Sequence, residues 1–170
     1  MRILIAHDEA FNFTYRANID ALRQMGQVAF FSPLHDEILP ACDLLYLPGG
    51  YPELFLQEIS GNAGMCQQIR AYAEQGGRIL AECGGFMYLC REIDGVTMCG
   101  VFPFTATMAK ARLHLGYREQ NGMKGHEFHY SDITQPHELV NRYKNVIAGY
   151  THWYWAETGF NTLWNRLSTP

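Results

Sequence analysis

The sequence predicts an α/β fold: a three-layer, doubly wound, mostly parallel sheet of the flavodoxin-like kind, with additional antiparallel strands in the C-terminal half. Three features predict it. Short apolar runs alternate with helix-period segments from residue 2 to residue 93, and strands that alternate with helices pair in parallel through right-handed crossovers. Two of the apolar runs end in glycine loops, where open α/β sheets gather their ligands. After Gly95 the chain turns to short stretches rich in β-branched and aromatic residues, which suit antiparallel pairing.

The elements follow in order. "RILIA" (2–6) reads as a buried parallel strand. A helix fits 15–25, with Ile19, Leu22 and Met25 on one face and Gly26 as its stop. "VAFF" (28–31) is a second strand, and "DLLYLPGGYPE" (43–53) holds a third that ends in a Pro-Gly-Gly loop. Residues 64–77 form a helix with Ile69 and Tyr72 inward and Gly76-Gly77 as the stop. "RILA" (78–81) is a fourth strand, followed directly by a helix over 84–93. "VTMCGVFPFTATM", "RLHLGYRE", "HEFHYSDI" and "NVIAGYTHWYW" supply the extra strands, and a last helix fits 158–167. No internal repeat, low-complexity segment or linker breaks the 170 residues, which fit one domain spanning 1–170.

Composition excludes several classes. Net charge is -4 with no basic patch carrying interleaved aromatics, which argues against nucleic-acid binding. The apolar runs are far too short to span a bilayer, and the start lacks the pattern of a secretory signal, so no membrane partner is expected. The five cysteines Cys42, Cys66, Cys83, Cys90 and Cys99 form no CxxC pair and leave one over. That pattern points to a reducing cytoplasm and away from a disulfide framework or a metal site.

Cys83 stands at the end of the fourth strand, directly before Gly84 and Gly85. A nucleophile in such a strand-to-helix elbow has its side chain exposed on a sharp turn, and a helix N-terminus favours the reactive thiolate. The usual elbow reads G-x-nucleophile-x-G; here it is Ala81-Glu82-Cys83-Gly84-Gly85. The Gly84 N–H can face an oxyanion, and Gly49 and Gly50 at the neighbouring strand end offer a second donor. The competing reading is a small buried cysteine at a tight turn.

A cysteine nucleophile needs a proton acceptor. Of the seven histidines, His126 and His129 in "HEFHY" point to opposite faces of a strand, so they do not share a metal. His152, late in the chain and in a strand-like run, ranks ahead of both as the base. Trp153 and Trp155 would pack on the face opposite it.

The stretches "DEAFNF", "FFSPLHDEILP", "YLPGGYPELF", "AECGGFMYL", "LGYRE" and "GHEFHYS" resemble, in order, the glutamine amidotransferase domain of the cobyrinate a,c-diamide synthases. The resemblance runs from Arg2 to about His152. It implies a class I glutamine amidotransferase fold with Cys83 as nucleophile, His152 as base, and oxyanion donors around Gly50 and Gly84. By similarity to lipid II isoglutaminyl synthase, where an arginine follows a glycine by twelve residues, Arg112 after Gly100 would bind the glutamine substrate; Arg118 is the competitor. Where many class I relatives read His-x-Glu, this chain reads His152-Trp153-Tyr154, leaving Glu53, Glu82 and Glu157 as candidates to orient the imidazole.

The family's whole enzyme adds an ATP-dependent synthetase domain with a P-loop. No G-x-x-x-x-G-K-[ST] occurs in these residues. The resemblance therefore implies no cofactor in this chain, ATP and magnesium on a synthetase partner, and ammonia passed to a corrinoid or related tetrapyrrole carboxylate. A homodimer is compatible with the sequence. The alternative is a catalytically silent binding module or regulatory subunit with the same fold.

Overall fold

The computed structural model describes residues 1–169. Its centre is a six-stranded sheet formed from β1 (Arg2–Ala6), β2 (Gln27–Phe31), β3 (Leu44–Leu47), β4 (Ile79–Glu82), β11 (Asn141–Tyr143) and β12 (Val146–Gly149). In space the order is β11-β12-β4-β3-β1-β2. Every neighbour is parallel except the β11–β12 hairpin at one edge. The doubly wound expectation holds.

Alternation along the strands sorts the core into two layers. Leu4, Ala6, Leu45, Leu47, Ile79 and Ala81 face one side and pack with residues of α2 (Leu56–Gly61), α3 (Ala63–Glu74) and α4 (Gly84–Leu89). Ile3, Ile5, Leu44, Tyr46 and Leu80 face the other, against α1 (Arg16–Met25) and α5 (Phe160–Ser168). A strand buried on both faces needs apolar residues at consecutive positions, which is why "RILIA" and "LLYL" read as unbroken runs. In α1, Leu22 is buried with Ile19 and Met25 packed beside it, the face expected from the helical period. β2 lies at the sheet edge and leaves Phe30 half exposed.

The helix expected over 84–93 is only six residues long. At Cys90 the backbone becomes extended, and β5 (Glu92–Ile93) pairs antiparallel with β6 (Val96–Thr97). Asp94 and Gly95 between them both have positive φ, the two-residue hairpin turn. β5 also joins β7 (Thr105–Thr107), which pairs with β10 (Asp132–Ile133), making a small second sheet.

A third, antiparallel sheet stands over the C-terminal ends of the main strands. It is the long hairpin β8 (His114–Gln120) and β9 (Met123–His129), joined at β9 by β13 (His152–Trp153). Asn121 and Gly122, again both at positive φ, form the hairpin turn. Among the described residues no helix is long and apolar enough to cross a membrane.

Candidate active site

Four strand ends converge at one cleft, as the topology of open α/β sheets requires. β1 leads into residues 7–13, β3 into Pro48-Gly49-Gly50, β4 into Cys83, and β12, after a two-residue step, into His152. The cleft holds about 300 Å³ and is lined by Asn12, Phe13, Gly50, Tyr51, Cys83, His126, Phe128 and His152.

The first loop is held open by Asp8. One carboxylate oxygen accepts the N–H groups of Ala10 and Phe11 at 2.9 and 3.1 Å; the other accepts Ser32 Oγ–H and Leu34 N–H at 2.8 and 3.0 Å. The loop then pairs with the glycine loop, Phe13 N–H to Gly49 O and Tyr51 N–H to Ala10 O, both 3.0 Å. Phe13 is thereby set edge-on to His152, ring centroids 4.5 Å apart.

Cys83 sits at φ 48°, ψ -106°, the strained turn of a nucleophile elbow, even though Ala81 replaces the first glycine of the usual pattern. The turn is held by the Cys83 N–H bonded to Gly149 O at 2.8 Å and by the Cys83 carbonyl accepting Met87 N–H at 3.0 Å. The elbow interlocks with the glycine loop: a Cβ on Gly84 would come within 2.8 Å of Gly50 O. Gly50 and Gly84 are thus side by side. No acceptor for the Gly50 N–H is found among the described residues.

The thiol does not behave as the helix N-terminus alone suggests. Cys83 is 4% exposed, and α4 behind it is short. Burial first, then the nearby Glu53 carboxylate, pushes its pKa up to about 12; the adjacent Gly84 amide pulls the other way and loses. The resting group is a neutral thiol, 3.7 Å from Phe128 O.

His152 is 3% exposed, and burial, with His126 and His129 beside it, lowers its pKa to about 3. The imidazole is therefore neutral, and the same burial disfavours its protonated form. Its Nδ1 is buried without a hydrogen-bond partner among the described residues. Trp153 and Trp155 pack into the core on the α1/α5 side, as expected.

The other expected residues are placed as follows. His126 and His129 do point to opposite faces of β9. His126 lines the cleft with its ring 5.3 Å from His152 and its Nδ1 2.6 Å from Tyr15 OH. His129 is buried, stacked on Tyr150 at 3.6 Å, with Nδ1 2.9 Å from Ser131 O. Arg112 lies just before β8, its backbone N–H on Tyr130 O at 3.1 Å, and is exposed; Arg118 is engaged by Glu127 at 2.9 Å. Neither arginine lines the cleft. Of the three glutamates, Glu82 reaches the histidine segment, through the Trp153 N–H at 3.0 Å rather than the ring. Sequence reasoning missed Asn12, Phe13, Tyr51 and Phe128; Phe13 and Tyr51 lie inside the blocks "DEAFNF" and "YLPGGYPELF", whose proximity only the fold reveals.

Neutral thiol, neutral imidazole and two glycine amides around one cleft can support attack on a carbonyl carbon with proton transfer to the histidine. Comparisons with known proteins show which family carries this fold. Residues 2–160 match the family model described as the CobB/CobQ-like glutamine amidotransferase domain. The chain is 41% identical to the cobyrinate a,c-diamide synthase of Methanosphaera stadtmanae, over 78% of this chain and 32% of that protein. It is 41% identical to the hydrogenobyrinate a,c-diamide synthase of Pseudomonas aeruginosa, over 91% of this chain and 41% of that one. The chain thus spans about a third to about two fifths of the length of these curated relatives. In fold it is similar to a crystal structure of a glutamine amidotransferase, TM-score 0.63 at 18% identity, covering 98% of this chain and 99% of that one. A glutamine amidotransferase from Thermotoga maritima gives TM-score 0.56 at 12% identity, covering 91% and 76%. With the family model matched over nearly all of its length, the chain belongs to the CobB/CobQ-like glutamine amidotransferase domain family.

Proposed function

We propose that this chain hydrolyses glutamine through a thioester on Cys83, with His152 moving the protons. The observation that carries the reading is that these two side chains, from separate strand ends, face one cleft beside Gly50 and Gly84. As sulfur bonds to the glutamine carboxamide carbon, the thiol proton passes to His152. The carbonyl becomes an oxyanion facing the Gly50 and Gly84 N–H groups; one such donor is worth roughly 3 kcal/mol. The C–N bond then breaks, the imidazolium returns the proton to the leaving nitrogen, and ammonia departs. Water attacks the thioester, His152 takes its proton, and C–S cleavage with proton return regenerates the thiol and releases glutamate.

Burial disfavours both the thiolate and the imidazolium, so the pair starts neutral. The sulfur need not be ionised before substrate arrives, because proton transfer and attack occur together. Neither arginine lines the cleft, but Arg112 is exposed and engaged by no acidic side chain among the described residues, so it is freer to take the glutamine α-carboxylate than Arg118, whose guanidinium is held by Glu127.

The ammonia goes to a carboxylate of a corrinoid or related tetrapyrrole, activated by an ATP- and magnesium-dependent P-loop synthetase domain or subunit. Support comes from the relatives, which are named cobyrinate and hydrogenobyrinate a,c-diamide synthases and extend well beyond the span matched here. The test is glutamate and ammonia release by the purified chain, alone and with such a synthetase, beside Cys83→Ala. Thiol-dependent release supports the reading, and release that survives Cys83→Ala refutes it.

A further inference from the structure

The tie between the nucleophile's strand and the base's strand runs through a buried acid. Glu82 is the last residue of β4, directly before Cys83, and is 2% exposed. Its Oε2 accepts Tyr46 O–H at 2.7 Å and its Oε1 accepts Trp153 N–H at 3.0 Å. It lies on the α1/α5 side of the sheet, where Leu80 and Tyr46 belong to the apolar layer.

A carboxyl group here is expensive. A leucine of similar volume would fill the space without desolvating a polar group. What it would not do is satisfy Trp153. The β12–β4 ladder ends at the pair Gly149–Glu82, after which the chain leaves the main sheet. Among the described residues β13 pairs only with β9, where Trp153 faces Gly125. The Trp153 N–H is taken instead by Glu82, while its carbonyl accepts Asn18 Nδ2–H at 2.8 Å. The backbone of Trp153 is thus held at its N–H and at its carbonyl by two buried side chains, and one of them adjoins Cys83 in sequence.

We propose that Glu82 is a positioning residue, which sets His152 against Cys83 by holding the Trp153 amide. The proposal rests on the Cys83–His152 reading given above. Glu82 is not among the residues that line the cleft; it acts through the backbone beside the base. It does for this chain, from the nucleophile's side, what a carboxylate two residues after the histidine would do directly.

The test is steady-state glutamine hydrolysis, together with the rate of covalent labelling by the glutamine analogue diazo-oxo-norleucine, for Glu82→Gln, Glu82→Asp and Glu82→Leu. Gln keeps an acceptor at the same reach, so it restores most of the rate. Asp is one methylene too short to span β3 and β13, and Leu has no acceptor. Both should lose about 10- to 100-fold in kcat, because a displacement near 1 Å can cost that much, with KM within about threefold of wild type. Should Leu not fold, Asp carries the comparison. Wild-type kcat in a folded Asp or Leu variant overturns the proposal. So does a Gln variant that works while both others merely fail to fold, since that marks a structural role alone. Cys83→Ala, assayed beside them, separates the two claims: if it keeps hydrolysing glutamine, the dyad reading has failed; if it is dead and the Glu82 variants are normal, only this proposal has.

Discussion

Gly49 presents bare backbone to the His152 ring: a Cβ at that position would overlap the imidazole Cε1. The glycine loop after β3 therefore does two things. Gly50 lines the cleft beside Cys83, and Gly49 leaves room for the His152 ring. Gly49→Ala should push the imidazole out of line and lower kcat about 10- to 100-fold, while the melting temperature changes little. Kinetics and a thermal melt on the same preparation check this. A fully active Gly49→Ala variant would mean that the ring has room to spare.

His152→Ala should cut turnover on the order of 100- to 10,000-fold by removing the proton acceptor. His126→Ala should cost less than about tenfold and roughly 1 kcal/mol of stability through the lost Tyr15 bond. A reversed pair of results would make His126 the base.

The pH dependence follows from burial. His152 is held neutral down to about pH 3, so the acid limb of kcat/KM should not fall near 6.5, where a free imidazole titrates. The same shift has a stability sign. The unfolded chain gains a proton on this histidine as pH drops below 6.5 and the folded chain does not, so His152 destabilises the fold progressively between there and about pH 3. A kcat/KM profile from pH 5 to 9 tests the kinetic half; an acid limb at 6–7 contradicts it.

Arg118→Ala should loosen the β8–β9 hairpin by roughly 1 kcal/mol, the scale of a partly exposed pair, since it frees Glu127. Arg112→Ala should instead raise the KM for glutamine about tenfold or more with the melting temperature unchanged. The split between KM and stability is the measurement; a KM defect confined to Arg118→Ala would move substrate binding to that residue.

Glu82 supplies the opposite pH sign. Burial raises its pKa to about 8, outweighing the Tyr46 and Trp153 hydrogen bonds that favour the anion. Above pH 4.5 the unfolded chain loses this proton and the folded chain keeps it, so the wild type loses stability as pH rises from 4.5 to about 8. Glu82→Gln removes that slope. Urea melts at pH 5 and pH 8 should show the variant gaining on the wild type at the higher pH; an unchanged difference would mean that Glu82 is not so shifted.

Much of this was legible before the fold was known, and for physical reasons. Strands buried on both faces announce themselves as apolar runs, so β1, β3 and β4 were placed within a residue or two. The elbow was legible because strand, Cys83 and two glycines are contiguous. Helical periodicity overruns the short α4, because Asp94-Gly95 turns the chain into a hairpin; Asn121-Gly122 is its twin in the β8–β9 hairpin. The thiol's state was not legible, since it depends on how deeply the fold buries Cys83 and on the charge of Glu53, which is distant along the chain. Nor was the Glu82–Trp153 bond, which joins residues 71 apart along the chain.

The most direct measurement is intact-mass and peptide-map analysis of the full chain after incubation with diazo-oxo-norleucine, with and without excess glutamine. One covalent adduct per chain is expected, on Cys83, slowed by glutamine and absent from Cys83→Ala. The buried Cys66, Cys90 and Cys99 and the half-buried Cys42 serve as internal controls. A chain that hydrolyses glutamine yet carries the label on another cysteine, or none, would contradict the assignment of Cys83 as the nucleophile.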